Sequence, residues 1–217
     1  MRKVVLAVAA VCWLAGCSSG AATSTKADIA KVANVKSSFG PEFKVTDITE
    51  RAIDPQFFAS RKLPDGLTFD PPSCAKVAGG PDMPSGVQGN MAAVSAEGNG
   101  NRFVVIALET STALPLTDPG PDCQKVAFSG PQLRGGIQVI DAPKIDGTQT
   151  QAQHRVLQAV LSGTTHTGEL YTYTSQFGDY QVLVVANPLV IPGQQVAAVD
   201  TERARDLLVK AVAAVRS

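Results

Sequence analysis

Two histidines, His154 and His166, are the side chains best suited to acid–base chemistry near neutral pH. A histidine titrates in this range without a perturbed pKa, so each is a candidate general base. His166 and Glu169 place an imidazole and a carboxylate three residues apart, but in a strand those positions point to opposite faces. The pair is therefore unsuited to bind one metal ion. His154 is predicted to be a solvent-facing strand residue.

Catalytic motifs are not found in a supporting context. No Gly-x-Ser-x-Gly elbow, Ser-x-x-Lys, phosphate loop or dinucleotide fingerprint lies where a strand and a helix would support it. The sequence also has neither a Cys-x-x-Cys pair nor a clustered Cys/His set for zinc. We therefore predict a non-enzyme with no catalytic residues, no cofactor and no metal site. A hydrolase built from scattered serine, histidine and aspartate stays open, because a triad is recognised by geometry.

Three tyrosines form the candidate binding surface. If Phe177-Gly178 centres a tight hairpin turn, Tyr171 and Tyr173 share one face of the hairpin with Tyr180. We predict that this tyrosine face contacts the ligand. The other interpretation, a tyrosine stripe packed beneath a helix, stays open.

The N-terminus has the plan of a secretory signal. Arg2 and Lys3 precede the apolar run 4–14, which is too short to span a membrane comfortably. The run ends in Leu14-Ala15-Gly16-Cys17, which resembles the bacterial lipobox and implies a diacylglycerol on the Cys17 thiol, with cleavage before it. An ordinary secretory signal with an incidental Cys17 is the alternative.

The predicted organisation follows from this signal. Residues 1–16 are a lipoprotein signal peptide, 17–26 are the lipidated cysteine with a flexible tether rich in Ser, Thr, Ala and Gly, and 27–217 are a single domain. The predicted location is the extracytoplasmic face of the cell membrane, with the anchor at Cys17 as the membrane partner. With 19 basic and 19 acidic side chains, the chain lacks the cationic surface that nucleic acid binding needs.

Two of the four cysteines can pair. Cys12 leaves with the signal and Cys17 carries lipid, so Cys74 and Cys123 are left in an oxidising compartment. A disulfide between them would close a loop of about 50 residues and stabilise the fold by roughly 4 kcal/mol. Two separate buried thiols are the alternative.

Hydrophobic periodicity predicts the elements. A helix is expected over 28–37, with Ile29, Val32 and Ala33 at helical spacing, and 54–72 and the proline-rich stretch around Cys123 are expected to be irregular. Both 70–78 and 118–127 are expected to contain a short helix opened by proline. Strands are predicted over 43–48, 89–96, 102–109, 134–141, 151–162, 166–176 and 180–187.

The C-terminal segment predicts the clearest helix. After Asp200, a residue able to cap a helix, apolar side chains recur at helical spacing from Ala204 to Val215. The run 182–191 predicts a central strand covered on both sides. The fold class is therefore α+β: a mostly antiparallel sheet packed by an N-terminal and a C-terminal helix, with one disulfide and the other sheet face open.

Three segments carry a family resemblance: Leu14-Ala15-Gly16-Cys17, Ser37-Ser38-Phe39-Gly40-Pro41 and Leu67-Thr68-Phe69-Asp70-Pro71-Pro72-Ser73-Cys74. With the two-cysteine α+β layout, they resemble an uncharacterised group of actinobacterial, chiefly mycobacterial, envelope lipoproteins. The chain is more loosely similar to the extracellular sensor domain of PknH-type receptor kinases, which carries two disulfides where this chain has cysteines for one. The resemblance brings no catalytic residues and implies a sensor-like role.

Three functions follow as hypotheses. The first is a non-catalytic, membrane-anchored module that binds a ligand or an envelope protein through a groove on its sheet. The second is a carrier of envelope lipid or glycolipid, which would need apolar cavity walls. The third is a weak hydrolase that uses a histidine.

Overall fold

A nine-stranded antiparallel sheet forms the frame of the region described by the computed structural model, which comprises residues 27–54, 56–57, 62–80, 84, 86–161 and 163–217. The predicted signal peptide, the lipidation site Cys17 and the tether lie outside these residues. The strands are β1 (Lys44–Ala52), β2 (Thr68–Asp70), β3 (Gly89–Gly98), β4 (Asn101–Thr110), β5 (Lys125–Ser129), β6 (Leu133–Ile140), β7 (Gln149–Leu161), β8 (Thr164–Phe177) and β9 (Tyr180–Pro188). Their order across the sheet is β1-β3-β4-β9-β8-β7-β6-β5-β2.

Short turns join most neighbouring strands, as predicted. In the β3–β4 hairpin, Gly98 pairs with Asn101 across the two-residue turn Asn99-Gly100. Both turn residues have positive φ, 50° and 72°, which is the backbone geometry that matches the twist of a two-residue hairpin. The predicted strands in β1, β3, β4 and β6 to β9 are confirmed, and β9 is a central strand.

The C-terminal helix, Thr201–Arg216, is confirmed with its cap. The Asp200 carboxylate accepts a hydrogen bond from the Arg203 backbone N–H at 2.9 Å, which satisfies one of the free donors of the first turn. Asn101 fixes the start of this helix, because its Oδ1 accepts from the Asp200 N–H at 3.0 Å and its Nδ2 donates to the Ala198 carbonyl at 3.1 Å. The predicted apolar stripe is fully buried: Ala204, Leu207, Leu208, Ala211, Val212 and Val215.

The N-terminal helix is also confirmed, but it is a 3-10 helix, Ile29–Ser38. Its buried side chains are Ile29, Val32 and Val35 rather than the predicted set with Ala33. A 3-10 helix has three residues per turn, so its buried face repeats every third residue. Together with the C-terminal helix it covers one face of the sheet, where the largest hydrophobic cluster lies.

The second sheet face is covered too, so the prediction of an open face is wrong. One small cluster packs Leu114 and Ile53 against Met91, Leu108 and Leu183 of the sheet. A second packs the segment around the disulfide against β5 and β6. The covering segments are loops and short helices rather than long periodic elements, which is why periodicity gave no sign of them.

The disulfide joins these covering loops. Cys74 and Cys123 are bonded, with their Cα atoms 5.6 Å apart and a separation of 49 positions in sequence. Of the two segments expected to contain a short helix opened by proline, 70–78 forms a 3-10 turn, Pro72–Cys74, and a short helix, Ala75–Ala78, as predicted. The second is not helical and runs from a turn into β5, so that prediction is wrong.

Two strands were not predicted. β2 lies in the stretch expected to be irregular, and β5 lies in the proline-rich region around Cys123. They pair with each other, and Phe69 lies directly opposite Phe128. The fold class is nevertheless as predicted, α+β with one disulfide. No helix in the described region is both long and apolar enough to cross a membrane.

Candidate functional site

The tyrosine face lies beneath the helices. Tyr171, Tyr173 and Tyr180 share one sheet face, as their cross-strand pairing shows. That face is the one packed by the C-terminal helix, and Tyr173 is only 1% exposed within the main hydrophobic cluster. Tyr171 and Tyr180 are half-buried at its border. The side chain of Tyr173 is therefore not available to a ligand, and the interpretation as a stripe under a helix is the correct one.

Burial changes the acidity of all three tyrosines. Desolvation, followed by a hydrogen bond to Glu169, raises the pKa of Tyr171 to about 12. Desolvation is also the main cause that raises the pKa of Tyr173 and of Tyr180, and Tyr180 donates to Glu109 at 2.9 Å as well. Each phenol is therefore neutral in the fold at a pH where it would ionise in an unfolded chain.

An alkaline titration should show this shift. Because the folded-state pKa values exceed the unfolded value near 10, the tyrosines stabilise the fold fully below pH 10 and lose that contribution as the pH rises, for Tyr171 from 10 to about 12. We expect the ultraviolet absorbance of tyrosinate to stay low at pH 10 in folded protein. In denaturant, the same titration should have its midpoint near 10. A tyrosinate signal at pH 10 with unchanged circular dichroism would contradict the prediction.

A polar cluster joins His154, Glu169 and Tyr171 on the same sheet face. The Glu169 Oε1 atom accepts a hydrogen bond from the Tyr171 hydroxyl at 2.9 Å and lies 2.8 Å from His154 Nε2. The rings of His154 and Tyr171 stack with their centroids 4.2 Å apart. His154 pairs directly with Tyr171 across the β7–β8 register, which brings it diagonally next to Glu169.

This cluster corrects one prediction and agrees with another. The His154 side chain is 21% exposed and bonded, so it is not the solvent-facing residue that was expected. His166 is exposed and lies on the opposite face from Glu169, as predicted. In the described part of the chain, no serine or threonine hydroxyl and no thiol bonds to His154, whose hydrogen-bond partner is Glu169. The arrangement fixes these side chains between two strands.

A partly enclosed cavity lies on the other face, between the sheet and the loops joined by the disulfide. Its volume is about 80 Å³. The covering side includes Leu114, Thr117, Cys123 and Ala78. The sheet side is formed by β5 to β9: Val126, Ile137, Val139, Gln151, Gln153, Arg155, Thr172, Thr174 and Gln181.

The alternation of side chains along a strand explains why the sheet side of this cavity, called the floor below, is polar. Gln151, Gln153 and Arg155 are two residues apart along β7, so their side chains point to one face. Across the β7–β8 register, Gln151 pairs with Thr174 and Gln153 with Thr172, which places the threonines beside them. The floor thus differs from the two apolar clusters on either side of it.

Several floor side chains are anchored. Gln151 Nε2 donates to the Thr117 carbonyl at 3.0 Å and so ties the floor to the covering loop. Gln181 is only 2% exposed, and its Nε2 donates to Gln176 Oε1 at 3.0 Å. Such bonds hold a polar floor in place, because a buried polar group without a partner is costly.

Arg155 is the exception on this floor. Its Nε atom is buried and has no hydrogen-bond partner among the described residues. Desolvation by burial lowers the pKa of its guanidinium, although an arginine stays charged in proteins. The sequence does not single out this residue, because an arginine between glutamines and apolar residues in a strand looks like an ordinary solvent-facing residue.

Metal binding has no visible basis in the described region. Within it, no group of three or more His, Cys, Asp or Glu side chains is placed to hold a metal ion. The cavity is instead lined by amide, hydroxyl and guanidinium groups, which are suited to hydrogen bonding.

Comparison with known proteins places the chain in a family. It is similar to an uncharacterized protein of Mycobacterium smegmatis, described as the Rv0999 ortholog, whose X-ray structure superposes with a TM-score of 0.83 at 54% sequence identity. The match covers 88% of this chain and 98% of the other. None of the curated proteins matches. The model of a domain of unknown function, DUF5642, matches residues 28–216. The chain therefore belongs to the DUF5642 family, an uncharacterised family with a mycobacterial member.

Proposed function

We propose that this chain is a non-catalytic, sensor-like module that binds a small molecule and is held by lipid on the extracytoplasmic face of the membrane. The observation that carries the proposal is the cavity between the sheet and the cross-linked loops. Ligand sites are typically concave, with a few polar groups that fix the orientation of the ligand. The cavity has this character, since threonine, glutamine and arginine side chains stand among apolar ones.

The size of the cavity favours a small ligand. Its volume of about 80 Å³ is well below the roughly 300–1,000 Å³ of pockets that enclose drug-sized molecules. A multi-chain envelope lipid would need a larger apolar space. At this cavity, our first hypothesis, binding of a ligand by a groove on the sheet, is therefore preferred to lipid carriage.

The lipid anchor rests on the sequence. Leu14-Ala15-Gly16-Cys17 resembles a lipobox, and each methylene of an acyl chain adds roughly 0.8 kcal/mol of membrane affinity. The Cys74–Cys123 disulfide suits an oxidising compartment. Mass analysis of the N-terminal peptide from membrane-extracted protein should find Cys17 carrying diacylglycerol. An unmodified chain that keeps residues 1–16 would overturn the anchor.

The sensor-like role rests on the looser resemblance to the extracellular domain of PknH-type receptor kinases. A sensor needs a ligand-dependent change in a region that can respond. The loops that cover the cavity are suited to this, because Thr117 and Cys123 contact it from segments without long helices or strands. The tyrosine face is not part of the proposed site.

Ligand binding can be tested with a cavity-filling variant. Thr172 lines the cavity, so Thr172→Phe should fill it and abolish binding. Thr167→Phe makes the same change at an exposed position of the same strand and should leave binding intact. Native mass spectrometry of the full chain purified from its own envelope should find a bound small molecule in the wild type and in Thr167→Phe.

The outcomes separate the hypotheses. Circular dichroism should show that both variants are folded. A ligand retained equally by Thr172→Phe would place binding outside the cavity and contradict the proposal. Acyl species in the wild-type extract would favour a lipid carrier, and a wild-type protein without any bound molecule would remove the support for a ligand-binding module.

A further inference from the structure

Two buried side-chain atoms lack hydrogen-bond partners in the region that the structure describes: Ser175 Oγ and Arg155 Nε. Ser175 lies on the face packed by the helices, where an unpaired neutral hydroxyl carries a modest cost. Arg155 faces the cavity. Its unpaired atom belongs to a charged group, for which removal from water is far more costly unless a partner compensates it.

The immediate neighbours of Arg155 provide no negative charge. Its direct cross-strand partners are Ile137 on β6 and Leu170 on β8. The residues on the same face along β7 are Gln153 and Leu157. No carboxylate of the described residues forms an ion pair with the guanidinium.

Two acidic side chains, one on β8 and one in the covering loop, have hydrogen-bond partners other than Arg155. Glu169 belongs to β8, and its side chain lies on the sheet face opposite the cavity. His154 and Tyr171 are hydrogen-bonded to it there. Asp118 of the covering loop accepts a hydrogen bond from the Gly120 N–H at 2.9 Å. Among the described residues, then, no carboxylate forms an ion pair with the Arg155 guanidinium, which lines the cavity.

We propose that this cavity binds a small organic anion through its carboxylate group, with Arg155 as the charged ligand-binding residue. The inference rests on the proposed function and names the class of ligand. A planar guanidinium offers two parallel N–H groups to one carboxylate. Such charge-assisted hydrogen bonds are stronger than hydrogen bonds between neutral groups. One cation matches one negative charge, and the neighbouring Gln153 and Thr172 can bond to the polar groups of the ligand.

Calorimetry with matched probes tests the inference. The full chain is titrated with acetate, lactate and pyruvate, and separately with their neutral amides, at constant ionic strength. We expect binding of at least one carboxylate and none of its amide. Arg155→Gln should weaken carboxylate binding roughly 10- to 100-fold, the range for loss of a hydrogen bond to a charged group. Arg155→Lys should weaken carboxylate binding less, because lysine keeps the positive charge but lacks the two parallel N–H donors of the guanidinium.

A matched control and a second measurement complete the test. Arg134→Gln makes the same substitution at an exposed arginine on β6 and should leave binding unchanged. Without ligand, Arg155→Gln should unfold at the same or a higher temperature than the wild type, because it removes a partly buried charge that has no carboxylate partner among the described residues. A clear loss of stability in Arg155→Gln would indicate an internal partner and overturn the inference.

The remaining outcomes are distinct. Equal binding of amides and carboxylates, blocked by Thr172→Phe, would refute the anion but keep the ligand-binding module. Asp82 follows the cavity residue Gly80 in sequence and lies outside the described residues. If Asp82→Asn lowered stability and Arg155→Gln had no further effect in that variant, the counter-ion would be internal and the proposal wrong. No binding of any carboxylate would also overturn it.

Discussion

Removal of the disulfide by the double substitution Cys74→Ala and Cys123→Ala is expected to lower the free energy of unfolding by about 4 kcal/mol. The bond closes a loop of 49 residues and so restricts the unfolded chain. Since a typical domain is stable by about 5–15 kcal/mol, this is a large share. Urea denaturation followed by circular dichroism should show a lower midpoint and a steeper slope, because an unfolded chain without the cross-link exposes more surface.

Reduced wild-type protein is the control for lost packing. Cys74 is fully buried in a cluster with Val126 and Phe128, so alanine also removes a contact. Reduction keeps both sulfur atoms in place and breaks only the bond. If reduced and oxidised wild type unfolded at the same urea concentration, the loop-closure argument would be wrong.

The same bond holds the cover of the cavity. Cys123 and Ala78 both line it, and the disulfide joins the segments to which they belong. One hydrogen bond between these segments and the sheet runs from Gln151 to the Thr117 carbonyl. Loss of this cross-link is therefore expected to affect both the stability of the fold and the shape of the candidate site.

Periodicity predicted the elements that bury a continuous face. From Ala204 to Val215, every apolar residue at helical spacing is buried in the C-terminal helix. In β9, Val182 and Val184 belong to one cluster and Leu183 to the other, as expected for a strand covered twice. The apolar pattern of that strand already indicated that both sheet faces are covered. The prediction of an open second face is inconsistent with it.

Pairing between distant segments could not be predicted. β2 has three residues and β5 has five, each too short for a periodic signal and each flanked by prolines. β2 pairs with β5, where Phe69 lies opposite Phe128, and β5 also pairs with β6. These contacts depend on register, which a single chain segment does not specify.

The candidate site was missed for the same reason. The His154–Glu169 contact depends on the register of β7 against β8, whereas sequence analysis compared Glu169 with His166, its neighbour in sequence. Arg155 became notable only through Ile137 and Leu170, its uncharged neighbours on the adjacent strands. The three tyrosines were assigned correctly to one face, but sequence analysis did not decide that the helix covers it.

Leu208→Ala is expected to lower the free energy of unfolding by about 3 kcal/mol, within the 2–5 kcal/mol range for buried leucines. Leu208 is 0% exposed and belongs to the main cluster between the C-terminal helix and the sheet. The substitution removes buried methyl and methylene groups and leaves a space that the rigid sheet cannot close. Denaturation in urea should show a lower midpoint with an unchanged slope.

The neighbouring residue provides the control for this substitution. Val209 is 42% exposed on the outer side of the same helix, so Val209→Ala removes two methyl groups where they contribute little to the core. Alanine also favours the helix at that position, and the expected change is within about 0.5 kcal/mol. A similar loss in both variants would mean that helix formation, rather than packing on the sheet, limits stability. The helix would then not be the stabilising layer that covers Tyr173.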